Sequence, residues 1–400
     1  MATNLKLRNF KSAEDLCVPL APLTVLTGLN GSGKSSVLQA IALLKQSVGA
    51  GDDLPSLRLR GDLLNLGLSE DVHFEGAESD EIEICLSADD GVLALKVAAE
   101  PGVDTLKPSG FQFTSEKLRE SFQRFQYIQA DRIAPASQYQ VAGTPTQRSG
   151  WLGTRGEFAV DFLVRHADDR VASTRACPQA DEFIAPALLK QVAPTDSLLD
   201  QTAGWLQQLS PGVRPSALRV DLADVSALRF NYTGTNIDSA SRDHRAGNVG
   251  FGLTYCLPLI IACLAAPKGA LLLLENPEAH LHPRGQAALG QLMAQCAADG
   301  VQIVVETHSD HVLNGVRLAV KRGIIIPSAV ALHYFTRDLE SGRSSVESPT
   351  LLSGGRLIHG PLDFLISGVG LLTNCWTSER CGHQSSFWIT SLAFRKIAIV

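Results

Sequence analysis

The sequence has no excess of positive charge. Its 400 residues contain 35 Lys and Arg against 41 Asp and Glu, which leaves a formal net charge of −6. This balance excludes nucleic-acid binding through overall charge, so a basic patch for DNA would have to be local. Two loose basic groups keep DNA contact open as an alternative, although scattered charges of this kind favour a solvated face. They are Lys117, Arg119, Arg124 and Arg132, and then Arg317, Lys321 and Arg322.

Paired cysteine motifs and long apolar runs are also missing. The eight cysteines are dispersed without a C-x-x-C pair, which favours buried free thiols in a reducing compartment. The first residues alternate apolar and basic side chains and lack the apolar core of a signal peptide. The most apolar stretch, 253–266, contains Pro258 and is shorter than the about 20 residues that a membrane-spanning helix needs. We therefore expect a cytoplasmic protein without membrane contact.

The residue patterns predict an α/β fold. Apolar residues make up 45% of the chain and charged residues 19%, which excludes a disordered chain. A short apolar run at 23–27 is typical of a central parallel strand, and helical spacing follows from Ser35 to Lys45. After residue 245, a glycine-rich turn and an apolar helix are predicted at 248–266, further helices at about 283–298 and at 310–322, and strands at 270–275 and 302–306. Such alternation indicates a mostly parallel sheet flanked by helices.

The middle of the chain predicts an insertion. Residues 81–98 alternate around a turn and predict a β-hairpin, while 185–192 and 198–209 predict helices. No heptad pattern persists, which argues against long coiled-coil arms. The predicted domains are a P-loop lobe at 1–50, a hairpin and helical insertion at 51–245, a second lobe at 246–335, and an extension of unknown role at 336–400.

The strongest motif is a glycine-rich loop between the predicted strand and helix. Residues 28–35 (GLNGSGKS) satisfy the G-x-x-x-x-G-K-[ST] pattern of a P-loop. Its backbone N–H groups would turn around the phosphates of ATP, Lys34 would reach the β- and γ-phosphates, and the Ser35 hydroxyl would ligate Mg²⁺. The predicted ATP-binding residues of this loop are Gly28, Asn30, Gly31, Ser32, Gly33, Lys34, Ser35 and Ser36.

Two later strands end in residues that suit phosphate chemistry. The run LLLLE ends at Glu275, a carboxylate that we expect to ligate Mg²⁺ together with Ser35. The next strand ends at THS, which places His308 where it can bind the γ-phosphate or the attacking water. Four histidines in this region also allow a zinc hypothesis, but no Cys or carboxylate completes a recognised zinc pattern. They are His280, His282, His308 and His311.

Taken together, these motifs resemble the ABC-type ATPase heads of two groups. One is the structural-maintenance-of-chromosomes (SMC) proteins, and the other is the overcoming-lysogenization-defect (OLD) group of AAA-family predicted ATP-binding proteins. The resemblance is carried by residues 5–12 (LKLRNFKS), 28–35, 275–283 (ENPEAHLHP) and 307–309 (THS), and it covers about residues 3–335.

The resemblance implies a homodimer in which two heads enclose two ATP molecules. Each P-loop would then face a signature turn of the other subunit, and the best candidate for that turn is 248–252 (NVGFG), directly before an apolar helix. Its predicted ATP contacts are Asn248, Gly250 and Gly252, although an ordinary junction between a loop and a helix also fits this segment. His280 and His282 would lie in the loop that crosses the dimer interface.

The sequence departs from such heads at the position of the general base. Many of them carry a second acidic residue directly after the first, but here that residue is Asn276, whose amide cannot accept a proton. Glu278 is the next acidic residue, so either Glu278 or Glu275 is predicted to act as the base. A slow ATPase is the consequence we expect.

Two functional hypotheses follow. The first is an ATP-dependent dimerising switch that hydrolyses ATP, in DNA maintenance or anti-phage defence by analogy with the family. The second is an ATP-sensing clamp with little turnover that regulates a separate effector protein. A self-contained nuclease ranks last, because residues after 335 hold no clustered carboxylates, and a transporter motor fits poorly.

Overall fold

Helices and strands alternate along the residues that the structure describes, which are 1–49, 53–178, 186–233 and 241–358 of this computed structural model. These residues belong to one structural unit, Met1–Pro361. The strands are β1 (Ala2–Phe10), β2 (Ala13–Pro19), β3 (Leu23–Gly28), β4 (Leu57–Arg58), β5 (Glu81–Ala88), β6 (Gly91–Ala98), β7 (Thr105–Leu106), β8 (Pro108–Phe113), β9 (Phe125–Ile128), β10 (Tyr139–Gln140), β11 (Val213–Val220), β12 (Val225–Tyr232), β13 (His244–Arg245), β14 (Leu271–Glu275), β15 (Gln302–Glu306), β16 (Val330–Arg337), β17 (Ser344–Glu347), β18 (Thr350–Leu351) and β19 (Leu357–Ile358). The α-helices are α1 (Lys34–Ser47), α2 (Ser69–Val72), α3 (Glu116–Gln123), α4 (Thr144–Ser149), α5 (Ala159–Arg165), α6 (Pro186–Val192), α7 (Leu198–Leu206), α8 (Phe251–Ala265), α9 (Pro283–Ala298) and α10 (Asp310–Lys321).

The central sheet has the order β17-β16-β3-β15-β14-β9. Its first pair is antiparallel, and the remaining four pairs are parallel. The carboxyl ends of β3, β14 and β15 therefore meet at one edge, with Glu306 in register with both Leu26 and Glu275. The predicted α/β fold with a mostly parallel sheet is confirmed.

A second, antiparallel sheet packs against α1, the helix that follows the P-loop. Its order is β2-β1-β5-β6-β8, and β5 and β6 form the predicted hairpin. The apolar side chains that alternate along β1, such as Leu5 and Leu7, are fully buried in a core that also includes Val37 and Ile41 of α1. The antiparallel sheet, α1 and the central sheet thus share one apolar core.

The segment 51–245 is distributed over several parts of the fold. Its strands β5, β6 and β8 extend the antiparallel sheet of β1, and β9 forms an edge of the central sheet. Residues 139–245 contribute a separate sheet of β10, β12 and β11, in which the two-residue strand β13 also pairs with β12. Pairing partners far away in the chain decide these placements, so the local pattern of residues 99–150 predicted only loops with short elements.

The helices after residue 245 follow the predicted pattern closely. The bounds of α9 and β15 are those predicted, and α8 and α10 differ from their predictions by one to three residues at an end. Helix α8 is apolar around its whole circumference and its residues 252–264 are buried, as expected of a helix inside the core. Helix α7 ends three residues early, because the Gln207 side chain accepts from the Gly212 N–H (2.5 Å) and donates to Val213 O, which closes a turn.

Two of the basic residues considered for DNA contact lie inside the protein. Arg132 is 2% exposed and Arg317 6% exposed. Arg132 donates to three backbone carbonyls, and the Nε of Arg317 donates to Gly355 O (2.8 Å). A role in a basic DNA-binding face is therefore wrong for these two residues. Within the described part of the chain, no helix is both long and apolar enough to cross a bilayer.

Candidate functional site

The P-loop joins the end of β3 to the start of α1 through a backbone that requires glycine. Gly28 has φ +135°, and a Cβ atom there would lie 2.3 Å from Phe335 O of the neighbouring strand. Gly33 has φ +98°, and a Cβ there would lie 2.3 Å from the Ser344 Oγ. Both conformations are strained for residues with a side chain. The glycines of the motif therefore shape the loop against the central sheet.

Lys34 folds back along the loop from the first turn of α1. Its Nζ donates to Gly28 O at 3.0 Å and to Leu29 O at 2.6 Å. Burial lowers the pKa of Lys34, while the charges of Glu306 and Glu278 act in the opposite direction. The ammonium group thus lies inside the loop, at the position that a phosphate-binding lysine of a P-loop occupies.

The Ser35 hydroxyl contacts a carboxylate that the sequence did not single out. Its Oγ donates to Glu306 Oε1 at 2.9 Å. Glu306 is 6% exposed and ends β15, the strand directly beside β3. Burial raises the pKa of Glu306, and the hydrogen bond from Ser35 opposes this shift. The sequence signal that could have identified Glu306 is its position at the end of an apolar strand, directly before THS.

Glu275, the predicted partner of Ser35 at a metal ion, faces another part of the protein. Tyr127 Oη donates to its Oε1, and the Ala130 N–H donates to its Oε2 at 2.9 Å. Strand β14 is separated from β3 by β15, and its other neighbour is β9, which carries Tyr127. The carboxylate in contact with Ser35 belongs to Glu306, and the placement of Glu275 with Ser35 at a metal ion stays a prediction.

Glu278 and His308 form a link between the ends of β14 and β15. The Thr307 hydroxyl donates to Glu278 Oε2 and the His308 N–H to Glu278 Oε1, both at 2.7 Å. Burial and the neighbouring Lys34 ammonium lower the pKa of His308. Both oxygens of the predicted base Glu278 thus accept hydrogen bonds from the segment that carries His308.

Asn276 lies at the position where a second acidic residue was expected. Its backbone has φ +43°, its N–H donates to Glu306 O at 2.9 Å, and its O accepts from Arg132 Nη2 at 2.7 Å. The side-chain Oδ1 is buried and has no hydrogen-bond partner within the described structure. Asn276 lines the P-loop cleft, and these backbone hydrogen bonds hold its main chain in place there.

A cleft of about 1010 Å³ opens over the P-loop. Its lining brings together most of the predicted ATP-binding loop with His308, Asn276 and the unpredicted Glu306. The predicted residues that line it are Asn30, Gly31, Ser32, Gly33, Lys34, Ser35, Ser36 and His308. The predicted residues outside the lining are Gly28, Glu275, Glu278, Asn248, Gly250 and Gly252.

The predicted signature turn lies apart from this cleft. Gly250 precedes α8 as its N-cap, and both Asn248 and Gly250 are exposed. Gly252 packs against the loop that follows β14, since a Cβ there would lie 2.6 Å from His280 O. The exposed Phe251 ring lies 4.6 Å from the His280 ring. The turn and the His280 loop therefore form one continuous surface.

The four histidines considered for zinc do not assemble into a metal site. Across the described ranges, no group of three or more His, Cys, Asp or Glu side chains is arranged to hold a metal ion. His282 instead caps α9, where its Nδ1 accepts from the Arg284 N–H at 3.4 Å.

Comparisons with known proteins agree with the P-loop geometry. The family described as "AAA ATPase domain" matches residues 1–90, which contain the P-loop. The family described as "AAA domain, putative AbiEii toxin, Type IV TA system" matches residues 187–314, which contain the signature turn, Glu275 and His308. Both matches are to AAA or AAA ATPase families, which supports the AAA/ABC-type ATPase that the sequence motifs indicate. The matches support an ATP-binding ATPase domain in this chain.

A curated relative of this ATPase-domain chain is the OLD nuclease of Thermus scotoductus. The two are 24% identical over 340 residues, which make up 77% of this chain. The aligned region spans 59% of the length of the OLD nuclease.

Solved SMC head structures are also similar to this chain. An SMC head bound to the C-terminal winged-helix domain of ScpA is 14% identical, with a TM-score of 0.49, and the match covers 88% of this chain and 98% of that one. A head from Pyrococcus furiosus, bound to the C-terminal domain of ScpA, is 15% identical with a TM-score of 0.48 over 87% and 96% of the two chains. The SMC head of Thermotoga maritima is 14% identical with a TM-score of 0.40, over 87% of this chain and 98% of that one.

Proposed function

We propose that this chain binds ATP with Mg²⁺ in the P-loop cleft and acts as an ATP-dependent dimerising switch with slow hydrolysis. The observation that carries the proposal is the cleft itself, in which the P-loop, Lys34 and Ser35 lie together with His308. Backbone N–H groups of the loop and the Lys34 ammonium would bind the phosphates, and the Ser35 hydroxyl would hold Mg²⁺. Bound nucleotide supplies the negative charge to which a second subunit can attach.

Dimerisation is supported by the position of the signature turn. Asn248 and Gly250 are exposed and lie outside the cleft of their own chain. A turn at the N-terminus of α8 suits an anion, because its N–H groups and the helix dipole favour negative charge. A second copy of the chain would bring such a turn to the nucleotide. We place the switch in DNA maintenance or anti-phage defence, by analogy with the OLD relative.

Slow turnover is supported by the residues around the cleft. Asn276 cannot accept a proton from water, and both carboxylate oxygens of Glu278 already accept hydrogen bonds. General-base catalysis contributes about 10²–10⁴-fold to a rate, so its weakening would leave a slow enzyme. The same observations favour a second candidate, an ATP-sensing clamp that controls a separate effector. Steady-state hydrolysis separates the two, because a clamp would dimerise with ATP while its turnover stays at the background rate.

Lys34→Ala tests the proposed nucleotide site. Loss of a charged donor to phosphate should weaken binding of a fluorescent ATP analogue about 10- to 100-fold and remove the ATP-dependent rise in mass by light scattering. The fold should survive, since the helices and strands around the loop remain packed. An unchanged far-UV circular dichroism spectrum would show this. Lys117→Ala, which removes an equal charge from the exposed surface of α3, is the matched control. Parental nucleotide affinity in Lys34→Ala would rule out the proposed site.

A further inference from the structure

We propose that Glu306 is the carboxylate of the Mg²⁺ site, in place of Glu275 at the end of the neighbouring strand. The inference rests on the proposed function, since it names the residue that would hold the metal ion beside Ser35. Its basis is the hydrogen bond of 2.9 Å between the Ser35 Oγ and Glu306 Oε1, at the edge of the cleft that both residues line.

The strand order brings Glu306 closer to the P-loop than Glu275. Strand β15 pairs directly with β3, which leads into the loop, and β14 lies one strand further away. Glu306 and Glu275 are in register at the ends of their strands, so the difference between them is the strand they occupy. Glu275 is next to β9 on its other side, and its carboxylate turns to partners there.

In the other two carboxylates at this edge, each oxygen already accepts a hydrogen bond within the protein. Glu275 accepts from the Tyr127 hydroxyl and the Ala130 N–H, one bond to each oxygen. Glu278 accepts from the Thr307 hydroxyl and the His308 N–H, again one bond to each oxygen. Neither of them lines the cleft. Turning either carboxylate into the cleft would break hydrogen bonds to the segments after β9 or β15.

Glu306 has an oxygen whose lone pairs are available to a metal ion. Its Oε2 is buried and has no hydrogen-bond partner within the described structure, although buried polar atoms are nearly always paired. A buried carboxylate oxygen beside a hydroxyl is a hard-oxygen donor set, which Mg²⁺ prefers. The residues present therefore fit Mg²⁺. An ion at this position would satisfy the unpaired oxygen and offset part of the cost of burying the charge.

Manganese binding measures the role of Glu306 without relying on catalysis. The full chain is saturated with the β,γ-imido analogue of ATP, and free Mn²⁺ is followed by electron paramagnetic resonance. Glu306→Gln should keep a hydrogen-bond acceptor for Ser35 but weaken Mn²⁺ binding about 10- to 100-fold, the usual cost of losing a residue that supports a metal site. Glu275→Gln is the matched control, because it removes an equal charge one strand away, and it should bind Mn²⁺ as the parental chain does.

The outcomes separate this inference from the proposed function. Affinity for the analogue in EDTA tests the P-loop alone, and its absence in the parental chain would overturn the proposed function. If the parental chain binds the analogue and Mn²⁺, unchanged Mn²⁺ affinity in Glu306→Gln would overturn the assignment of Glu306. If Glu275→Gln loses Mn²⁺ binding while Glu306→Gln retains it, the metal-binding carboxylate is that of Glu275. Should Glu306→Gln fail to fold by circular dichroism, Glu306→Asp withdraws the carboxylate by one methylene, and parental Mn²⁺ affinity there would equally overturn the assignment.

Discussion

At the residue scale, three glutamates near one sheet edge have three different surroundings. Glu275 is bonded to the loop after β9, and Glu278 is bonded to the segment after β15. Glu306 retains an unpaired oxygen beside Ser35. The same side chain thus anchors a loop, links two strand ends or faces the P-loop cleft, according to its position in the fold. Carboxylate identity alone does not distinguish these roles.

A buried histidine next to the P-loop sheet predicts a pH dependence of stability. His333 on β16 is 1% exposed, with its Nε2 2.7 Å from Pro19 O and its Nδ1 2.8 Å from the Ser348 Oγ. The carbonyl accepts, so Nε2 carries the proton of the neutral ring and Nδ1 accepts from the Ser348 hydroxyl. Burial lowers the pKa of His333 below its ordinary value of 6.5.

The direction of the effect follows from the lowered pKa. The unfolded chain takes up the proton first, so the stability that neutral His333 contributes is present above pH 6.5 and is lost as the pH falls through its folded-state pKa. Urea unfolding at about pH 8 and about pH 5 should show a larger loss of stability for the parental chain than for His333→Gln. Equal losses in the two proteins would contradict the prediction.

At the element scale, Arg132 connects three segments behind the cleft. From the loop after β9, its guanidinium donates to Glu275 O and Asn276 O, each at 2.7 Å, and it lies 4.4 Å from the ring centroid of Tyr255 in α8. Tyr255 in turn packs against His280, whose loop contacts the signature turn. One buried cation therefore holds the end of β14 and the helix of the signature turn in a common arrangement.

Replacing Arg132 should destabilise the whole domain. Arg132→Met keeps most of the apolar length but removes the guanidinium donor to Glu275 O, at a cost of about 1–3 kcal/mol for a buried carbonyl left unpaired. Asn276 O also loses this donor but still accepts from the Ala279 N–H at 3.2 Å. The stability of Arg132→Lys should lie between those of Arg132→Met and the parental chain. An ammonium keeps the positive charge but lacks the planar, forked set of N–H donors of a guanidinium. The midpoints of guanidinium unfolding curves test this order of stabilities. A parental midpoint in Arg132→Met would mean that the carbonyls find other donors.

At the scale of the whole molecule, the proposed switch needs a second copy of the chain. Asn248 and Gly250 are exposed and do not line the cleft of their own protomer, so under the proposal the turn contacts the nucleotide of a second protomer. In an isologous dimer, the turn of each protomer would contact the nucleotide in the cleft of the other, so the same contact would form twice. The proposal thus makes dimer formation depend on nucleotide binding and on the shape of the turn.

Gly250→Trp should separate binding from dimerisation. A Cβ at Gly250 meets no atom within 4 Å, so the monomer should accept the larger side chain and bind the ATP analogue normally. The indole would obstruct close approach of a second protomer, and the rise in mass with Mg²⁺ and ATP should disappear in light scattering. Gly354→Trp is the matched control, because Gly354 is equally open and lies outside the turn. Normal ATP-dependent dimers of Gly250→Trp would place the signature elsewhere.

The sequence by itself determined the features that depend on short stretches of chain. The P-loop was predictable because its glycines, Lys34 and the strand and helix on either side are contiguous, and backbone conformations such as that of Gly33 are set locally. The helices and strands after residue 270 were predictable for the same reason, since their apolar periods are long and regular. These parts of the fold needed no knowledge of distant contacts.

Tertiary structure decided which residues meet at the sheet edge. The position of β9 beside β14, and of β15 between β14 and β3, is a choice of strand order that no local pattern encodes. That order turns Glu275 toward Tyr127 and leaves Glu306 beside Ser35. It also buries Arg132, which looked like a surface charge in the sequence. The chain sequence supplied three carboxylates, and the order of the strands determined the one that faces the P-loop.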